Sequence, residues 1–219
     1  MPTLFDFQRP AGRILRTVSL AVAAIAWSPA MAFGPLITAQ ELKATRPSGD
    51  IRVLDIREAQ AAPDAPSYDA GHIPGSVSTP YSSFRGNKSN PGRPVPEAKL
   101  SALLGTAGVT PDTKIVVTYR GTDATDFGAA ARVYWTLKVA GFKHLAILDG
   151  GLKAWTSAGH ALTAEKPTVK PTSLSLKYDE SAIVTIEEVA QAVNAQSASK
   201  PKLVDARPAG FFKGEVRHD

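Results

Sequence analysis

The side chains best equipped for chemistry crowd one polar stretch, Tyr119-Arg120-Gly121-Thr122-Asp123-Ala124-Thr125-Asp126, directly behind the β-branched run Ile115-Val116-Val117-Thr118. Thr122, Asp123, Thr125 and Asp126 supply oxygens of the kind a hydrolase uses as nucleophile or acid. Such a hydrolase also needs a base, and no histidine is placed by sequence to serve as one. The chain has no cysteine, hence no thiol nucleophile and no thiolate metal site. His72, His144, His160 and His218 form no i,i+4 pair of the zinc-helix kind, so no metal is expected. Gly150-Gly151 reads as a sharp turn rather than a phosphate cradle, because no Lys-Ser/Thr follows it.

A second set of chemically capable residues occurs twice. Arg52-Val53-Leu54-Asp55-Ile56-Arg57 returns as Lys202-Leu203-Val204-Asp205-Ala206-Arg207, about 150 residues later. That interval is the size of a small domain. Each copy follows a helix-start signature, Thr38-Ala39-Gln40-Glu41 and Thr185-Ile186-Glu187-Glu188, in which Thr and Glu cap the helix reciprocally. The reading is one whole domain, residues 33–160, a connector over 161–182 rich in Lys-Pro pairs, and the truncated start of a twin domain over 183–219. Asp55 and Arg57 are expected to fix the loop behind the first strand.

The elements that must position these residues alternate. A capped helix over 38–45 precedes the buried strand Ile51–Leu54, and Val77–Thr79 reads as a second short strand. Glu97–Leu104 has helical spacing, and Ile115–Thr118 is the central strand. A helix from about Phe127 to Ala140 carries Ala130, Val133, Tyr134 and Leu137 on one side and closes at Gly141. Leu145–Leu148 is the next strand and Leu152–Ala158 a short helix. Strands alternating with helices predict an α/β fold, a doubly wound parallel sheet with helices on both faces.

Composition excludes some functions. No run of Lys and Arg interleaved with aromatics exists, so nucleic acid is not an expected partner. Arg9, Arg13 and Arg16 against Asp6 account for two of the five net positive charges. They precede the apolar run Val18–Trp27, and Ala30-Met31-Ala32 offers small residues to a signal peptidase. An apolar core of about 10 residues is short of the roughly 20 that span a bilayer. Residues 1–32 are therefore expected to be a Sec-type signal peptide cleaved after Ala32. The mature protein would be periplasmic or secreted and free of the membrane. Without disulfides its stability must come from a core.

Tyr68-Asp69-Ala70-Gly71-His72-Ile73-Pro74-Gly75-Ser76 resembles the first signature of the rhodanese (sulfurtransferase) family, with Ser76 where Ala is usual. Leu148-Asp149-Gly150-Gly151-Leu152-Lys153-Ala154-Trp155 resembles the second, with Leu148 and Leu152 in place of aromatics and Ala154 in place of an acid. Leu54-Asp55-Ile56-Arg57 resembles the Asp-x-Arg strand end that opens such domains. In that family a cysteine directly after the central strand is ringed by loop N–H groups, which stabilise a thiolate and then a persulfide. Here that position is Tyr119, and a phenol carries no labile sulfur. The segment from Tyr119 to Arg132 is read as about four residues longer than in active members. Asp55, Arg57, His72, Gly75, Gly150 and Gly151 then shape turns.

The resemblance implies a tandem sulfurtransferase whose N-terminal domain supports a C-terminal one carrying the cysteine. In some members the Asp of the second copy, and an Arg four residues beyond its Arg, line the cleft; Asp205 matches the first and Phe211 takes the place of the second. The cleft candidates are Tyr119, Arg120, Asp205 and Arg207. The parent would pass sulfane sulfur from thiosulfate or 3-mercaptopyruvate to a small acceptor or a protein thiol through the second domain, with no cofactor. This cysteine-less chain would be inactive alone. The alternative is a non-catalytic module whose cleft beneath Tyr119 and Arg120 binds an anion or a partner segment.

Overall fold

The computed structural model describes residues 33–45, 49–60, 66–195 and 201–217. The signal-peptide expectation over 1–32 lies outside them. In chain order the elements are β1 (Leu36–Ile37), α1 (Ala39–Thr45), β2 (Ile51–Asp55), β3 (Val77–Ser78), a 3-10 turn (Tyr81–Phe84), α2 (Glu97–Thr106), β4 (Lys114–Thr118), α3 (Ala124–Val139), β5 (Leu145–Leu148), α4 (Gly151–Ser157), a second 3-10 turn (Glu180–Ala182), α5 (Ile186–Asn194) and α6 (Ala209–Phe212). The five strands form one parallel sheet ordered β1-β5-β4-β2-β3.

Strand residues are apolar on both faces because both faces are covered. Leu54, Ile115, Val117, Leu145 and Ile147 point into a core closed by Leu100 and Leu104 of α2 and by Ala130, Val133 and Leu137 of α3. Their neighbours Val53, Val116, Ala146 and Leu148 point the other way, onto Leu42 of α1 and Leu152 and Trp155 of α4. The period-2 alternation thus divides each strand between two helical layers. From β2 the chain moves outward to β3, then returns to the opposite side of β2 as β4. The sheet therefore reverses its winding between β2 and β4, and ligand sites of such sheets lie at the strand C-termini there. The Tyr119 loop leaves β4 at that point.

Two expected features differ in the structure. Helix α3 begins at Ala124 rather than near Phe127, because Asp123 is its N-cap and accepts the N–H groups of Thr125 and Asp126 at 2.8 and 2.9 Å. The irregular loop is accordingly only Tyr119–Asp123. The expected connector over 161–182 lies along the domain. Thr163 bridges His72, Thr172 N–H donates to the Gly105 carbonyl, Tyr178 N–H donates to Glu97 at 2.7 Å, and Asp179 N–H donates to the Val139 carbonyl. Leu174, Leu176 and Tyr178 pack against the α2–α3 core.

The second copy repeats the first copy's local geometry without its burial. Thr38 and Glu41 cap α1 reciprocally at 2.8 and 3.2 Å, and Thr185 and Glu188 cap α5 at 2.7 and 3.1 Å. Leu54 is fully buried, whereas its counterpart Val204 is 85% exposed. Leu203–Asp205, the counterpart of Val53–Asp55 in β2, forms no strand, because no described strand lies beside it to complete a ladder. Hydrogen exchange should therefore be fast at Leu203–Asp205 and at α5, and slowest at Ile115–Val117. Protection at Leu203 equal to that at Val116 would contradict the assignment.

Candidate functional site

The Tyr119–Asp123 loop lies flat against the turn between β5 and α4. The N–H groups of Leu152 and Lys153 donate to the carbonyls of Tyr119 and Arg120 at 2.8 and 3.0 Å. Gly121 has φ +89°, and a Cβ there would stand 2.0 Å from the Gly150 carbonyl oxygen. Gly151 has φ +59°, and its Cβ would stand 2.6 Å from the Tyr119 carbonyl oxygen. Two glycines facing each other let the loop and the turn touch backbone to backbone, which is what Gly150-Gly151 does here.

Successive loop N–H groups make a concavity suited to an anion. In this chain the anion is built in. Gly121 and Thr122 N–H both donate to Asp126 Oδ2, at 2.7 and 3.1 Å, while the Asp123 carboxylate accepts the N–H groups of Thr125 and Asp126. The Asp126 N–H foremost, helped by the Thr125 N–H, the Thr122 hydroxyl and the Arg120 charge, holds the Asp123 carboxyl below its ordinary pKa against the opposing effect of burial. The Arg120 guanidinium, with its side chain 41% exposed, stands 4.0 Å from Asp126 Oδ1. Tyr119 itself is only 5% exposed and meets Phe127 edge-on at 5.8 Å. Burial foremost, then the charges of Asp126 and Asp149, push its phenol pKa up, against a Gly150 N–H that lowers it. A neutral, buried phenol beside two carboxylates offers no nucleophile.

The remaining motif residues brace the neighbouring loops. Arg57 grips Asp55 through Nε at 2.9 Å and Nη2 at 2.7 Å, both side chains being almost fully buried. It also donates to the carbonyls of Pro66 at 2.6 Å and Gly71 at 2.9 Å, tying down the segment before His72. His72 is fully buried, with Nδ1 2.7 Å from the Tyr68 carbonyl and Nε2 3.1 Å from the Glu165 carbonyl, and it stacks on the Tyr68 ring at 3.9 Å. Gly75 takes φ +74° in the turn into β3.

Arg207 grips Asp205 in the same way, through Nε at 3.0 Å and Nη2 at 2.6 Å, but in solvent. Among the described residues no hydrogen bond or ion pair joins this pair to the Tyr119 loop, so the structure does not gather the four cleft candidates into one site. The Arg207 side chain foremost holds the Asp205 carboxyl at a pKa of about 2. Since the paired form is the depressed one, the pair is intact above the ordinary carboxylate range and is lost as pH falls through about 2. A carbon-13 titration of Asp205 should give that value, and Arg207→Gln should return it to roughly 3.9. An unchanged Asp205 pKa in Arg207→Gln would show that the pair does not exist in solution.

Asp126 as occupant of the loop is the feature sequence reasoning missed. Its signal was the spacing Asp123-x-x-Asp126, an N-cap followed three residues later by an acid. Among the described residues no cluster of three or more His, Cys, Asp or Glu could hold a metal, and no helix is long and apolar enough to cross a membrane.

Residues 38–158 match the family described as "Rhodanese-like domain". The chain is 31% identical over 181 residues to the thiosulfate sulfurtransferase of Gallus gallus, covering 80% of this chain and 60% of that protein. It is 30% identical over 184 residues to the thiosulfate sulfurtransferase of Mus musculus, covering 80% of this chain and 59% of that protein. The chain thus spans about three fifths of the length of these relatives. Among solved structures, the 3-mercaptopyruvate sulfotransferase SseA of Escherichia coli superposes with a TM-score of 0.64 at 22% identity, covering 83% of this chain and 69% of that one.

Proposed function

The chain belongs to the rhodanese-like domain family, and from that premise we propose that it is the supporting part of an exported tandem sulfurtransferase. In this reading the parent protein moves sulfane sulfur from thiosulfate or 3-mercaptopyruvate to a thiophilic acceptor. The sulfur travels on a cysteine of a second domain, whose opening is residues 183–219. Residues 33–160, with the strap over 161–182, form the inactive partner domain, and residues 1–32 direct export.

The observation that carries the proposal is the double occupation of the family's sulfur site. Tyr119 fills the nucleophile's place, and Asp126 accepts the loop N–H groups that would serve a sulfur anion. A transferable persulfide needs a thiolate, and this chain has no cysteine. The repeated Asp-x-Arg pair supports a second domain, because it reproduces the Asp55–Arg57 grip while leaving Leu203 and Val204 uncovered. The thiosulfate sulfurtransferases to which the chain is similar support the donor class.

The native protein tests this when isolated from its source. We expect an N-terminus at Phe33 and a polypeptide extending beyond Asp219. Thiosulfate should pass its outer sulfur to a cysteine thiolate there, leaving as sulfite, and cyanide should remove that sulfur as thiocyanate and restore the thiolate. A native product without cysteine, or one that takes up no sulfur, would overturn the proposal.

A further inference from the structure

The face where α3 packs on the first 3-10 turn carries two arginines that the sulfur chemistry does not use. Arg85 follows that turn, and Arg132 stands more than two helical turns into α3, away from the Tyr119 loop. Both are half-buried, and neither has a carboxylate within ion-pair distance among the described residues. The contrast with Arg57 is direct, since that buried guanidinium is neutralised by Asp55.

Each guanidinium is held in place by uncharged groups. Arg85 Nη1 donates to the Tyr81 hydroxyl at 2.7 Å, with its Cζ 5.4 Å from the centre of that ring. Arg132 Nη2 donates to the Gly92 carbonyl, and its Cζ lies 5.0 Å over the Trp135 ring. Arg132 Nε is shut off from solvent and has no acceptor. Burial foremost lowers the Arg132 pKa; Tyr81 and Tyr178 oppose that, and the charge of Arg85 adds to it. The segment joining the two sites, Arg85-Gly86-Asn87-Lys88-Ser89-Asn90-Pro91-Gly92-Arg93, adds Lys88 and Arg93 and contains no acid. Arg85 pairs with Pro94 across the base of this segment, which closes it into a basic hairpin-like loop.

Two half-desolvated like charges that repel each other are costly unless an anion joins them. Fixed, planar guanidiniums recognise oxyanions through paired N–H groups, and the Tyr81 hydroxyl, which accepts from Arg85 and keeps its own proton, adds a neutral donor. We propose that Arg85 and Arg132, with Tyr81 beside them, form a binding site for a small, doubly charged tetrahedral oxyanion. The site is distinct from the loop behind β4. It does not depend on the sulfur-transfer reading, because it rests on charge and geometry in this face alone.

Calorimetric titration with sulfate and, separately, thiosulfate tests the site in the whole chain, at constant ionic strength maintained with chloride so that screening is matched. The expected result is saturable binding of one equivalent of either dianion. Losing one charged hydrogen-bond donor should weaken it at least fivefold in Arg85→Gln and in Arg132→Gln. Lys143→Gln, at an exposed cation on the far side of α3's C-terminus, should bind as wild type does. Because Arg132 also secures Gly92, Arg85→Gln is the deciding variant. Absence of saturable binding by wild type, or a loss smaller than fivefold in Arg85→Gln, would overturn the proposal.

Discussion

Arg57→Ala is expected to remove about 3–5 kcal/mol of folding free energy, the usual cost of stripping one partner from a buried ion pair. Asp55 is fully buried and would remain as a charge without its counterion. The same change frees the Pro66 and Gly71 carbonyls, so the segment leading to His72 loses two of its fastenings. Against a typical total of 5–15 kcal/mol, such a loss leaves the domain marginal or unfolded. Arg57→Lys should recover only part of it, because an ammonium cannot reproduce the two-toothed contact. The second copy provides the control within one molecule. Arg207 holds Asp205 with nearly the same geometry in solvent, and Arg207→Ala should leave the denaturation midpoint unchanged. Urea unfolding of the two alanine variants decides the matter. Equal effects would mean that burial is not what separates the copies.

Tyr119→Cys is expected to yield a thiol that does not turn over thiosulfate and cyanide. A nucleophile at this position needs the loop N–H groups to converge on sulfur, and those of Gly121 and Thr122 already converge on Asp126. A carboxylate that close also raises a thiol pKa, leaving less thiolate at neutral pH. Misplacement of a reacting group by about an ångström can alone cost on the order of 100-fold. Pairing Tyr119→Cys with Asp126→Ala releases both N–H groups and removes the charge. The double variant should alkylate with iodoacetamide at lower pH than the single variant, and that shift measures Asp126's hold on the loop. If the single variant already reacts at the lower pH, Asp126 does not fill the cradle.

How much of this was legible in the sequence depended on whether a signal was local. Ile115-Val116-Val117 and Leu145-Ala146-Ile147-Leu148 announce buried parallel strands because every position is apolar, and the structure gives each its two helical layers. β1 went unread. It is two residues long, Leu36 is half-exposed, and it is a strand only because β5 pairs with it. The first turn of α3 reads as loop in the sequence because Asp123, Thr125 and Asp126 look like a polar surface, although Asp123 is a cap. The run over 161–182 looks like a linker by its prolines. Its alternating Thr172, Leu174, Leu176 and Tyr178 fasten it to α2 and the core, a pattern that has meaning only once α2 is in place. Arg85 and Arg132 are 47 positions apart in sequence and meet only through packing of α3 on the 3-10 turn. No local pattern joins them.

In the proposed function this domain keeps the family's sulfur-binding frame and closes it with its own side chains. Intact-mass spectrometry of the purified chain after incubation with thiosulfate, alongside release of thiocyanate on adding cyanide, tests it most directly. The account predicts an unchanged mass and no thiocyanate above the protein-free rate. A covalent sulfur adduct, or catalytic thiocyanate formation by the unmodified chain, would contradict it.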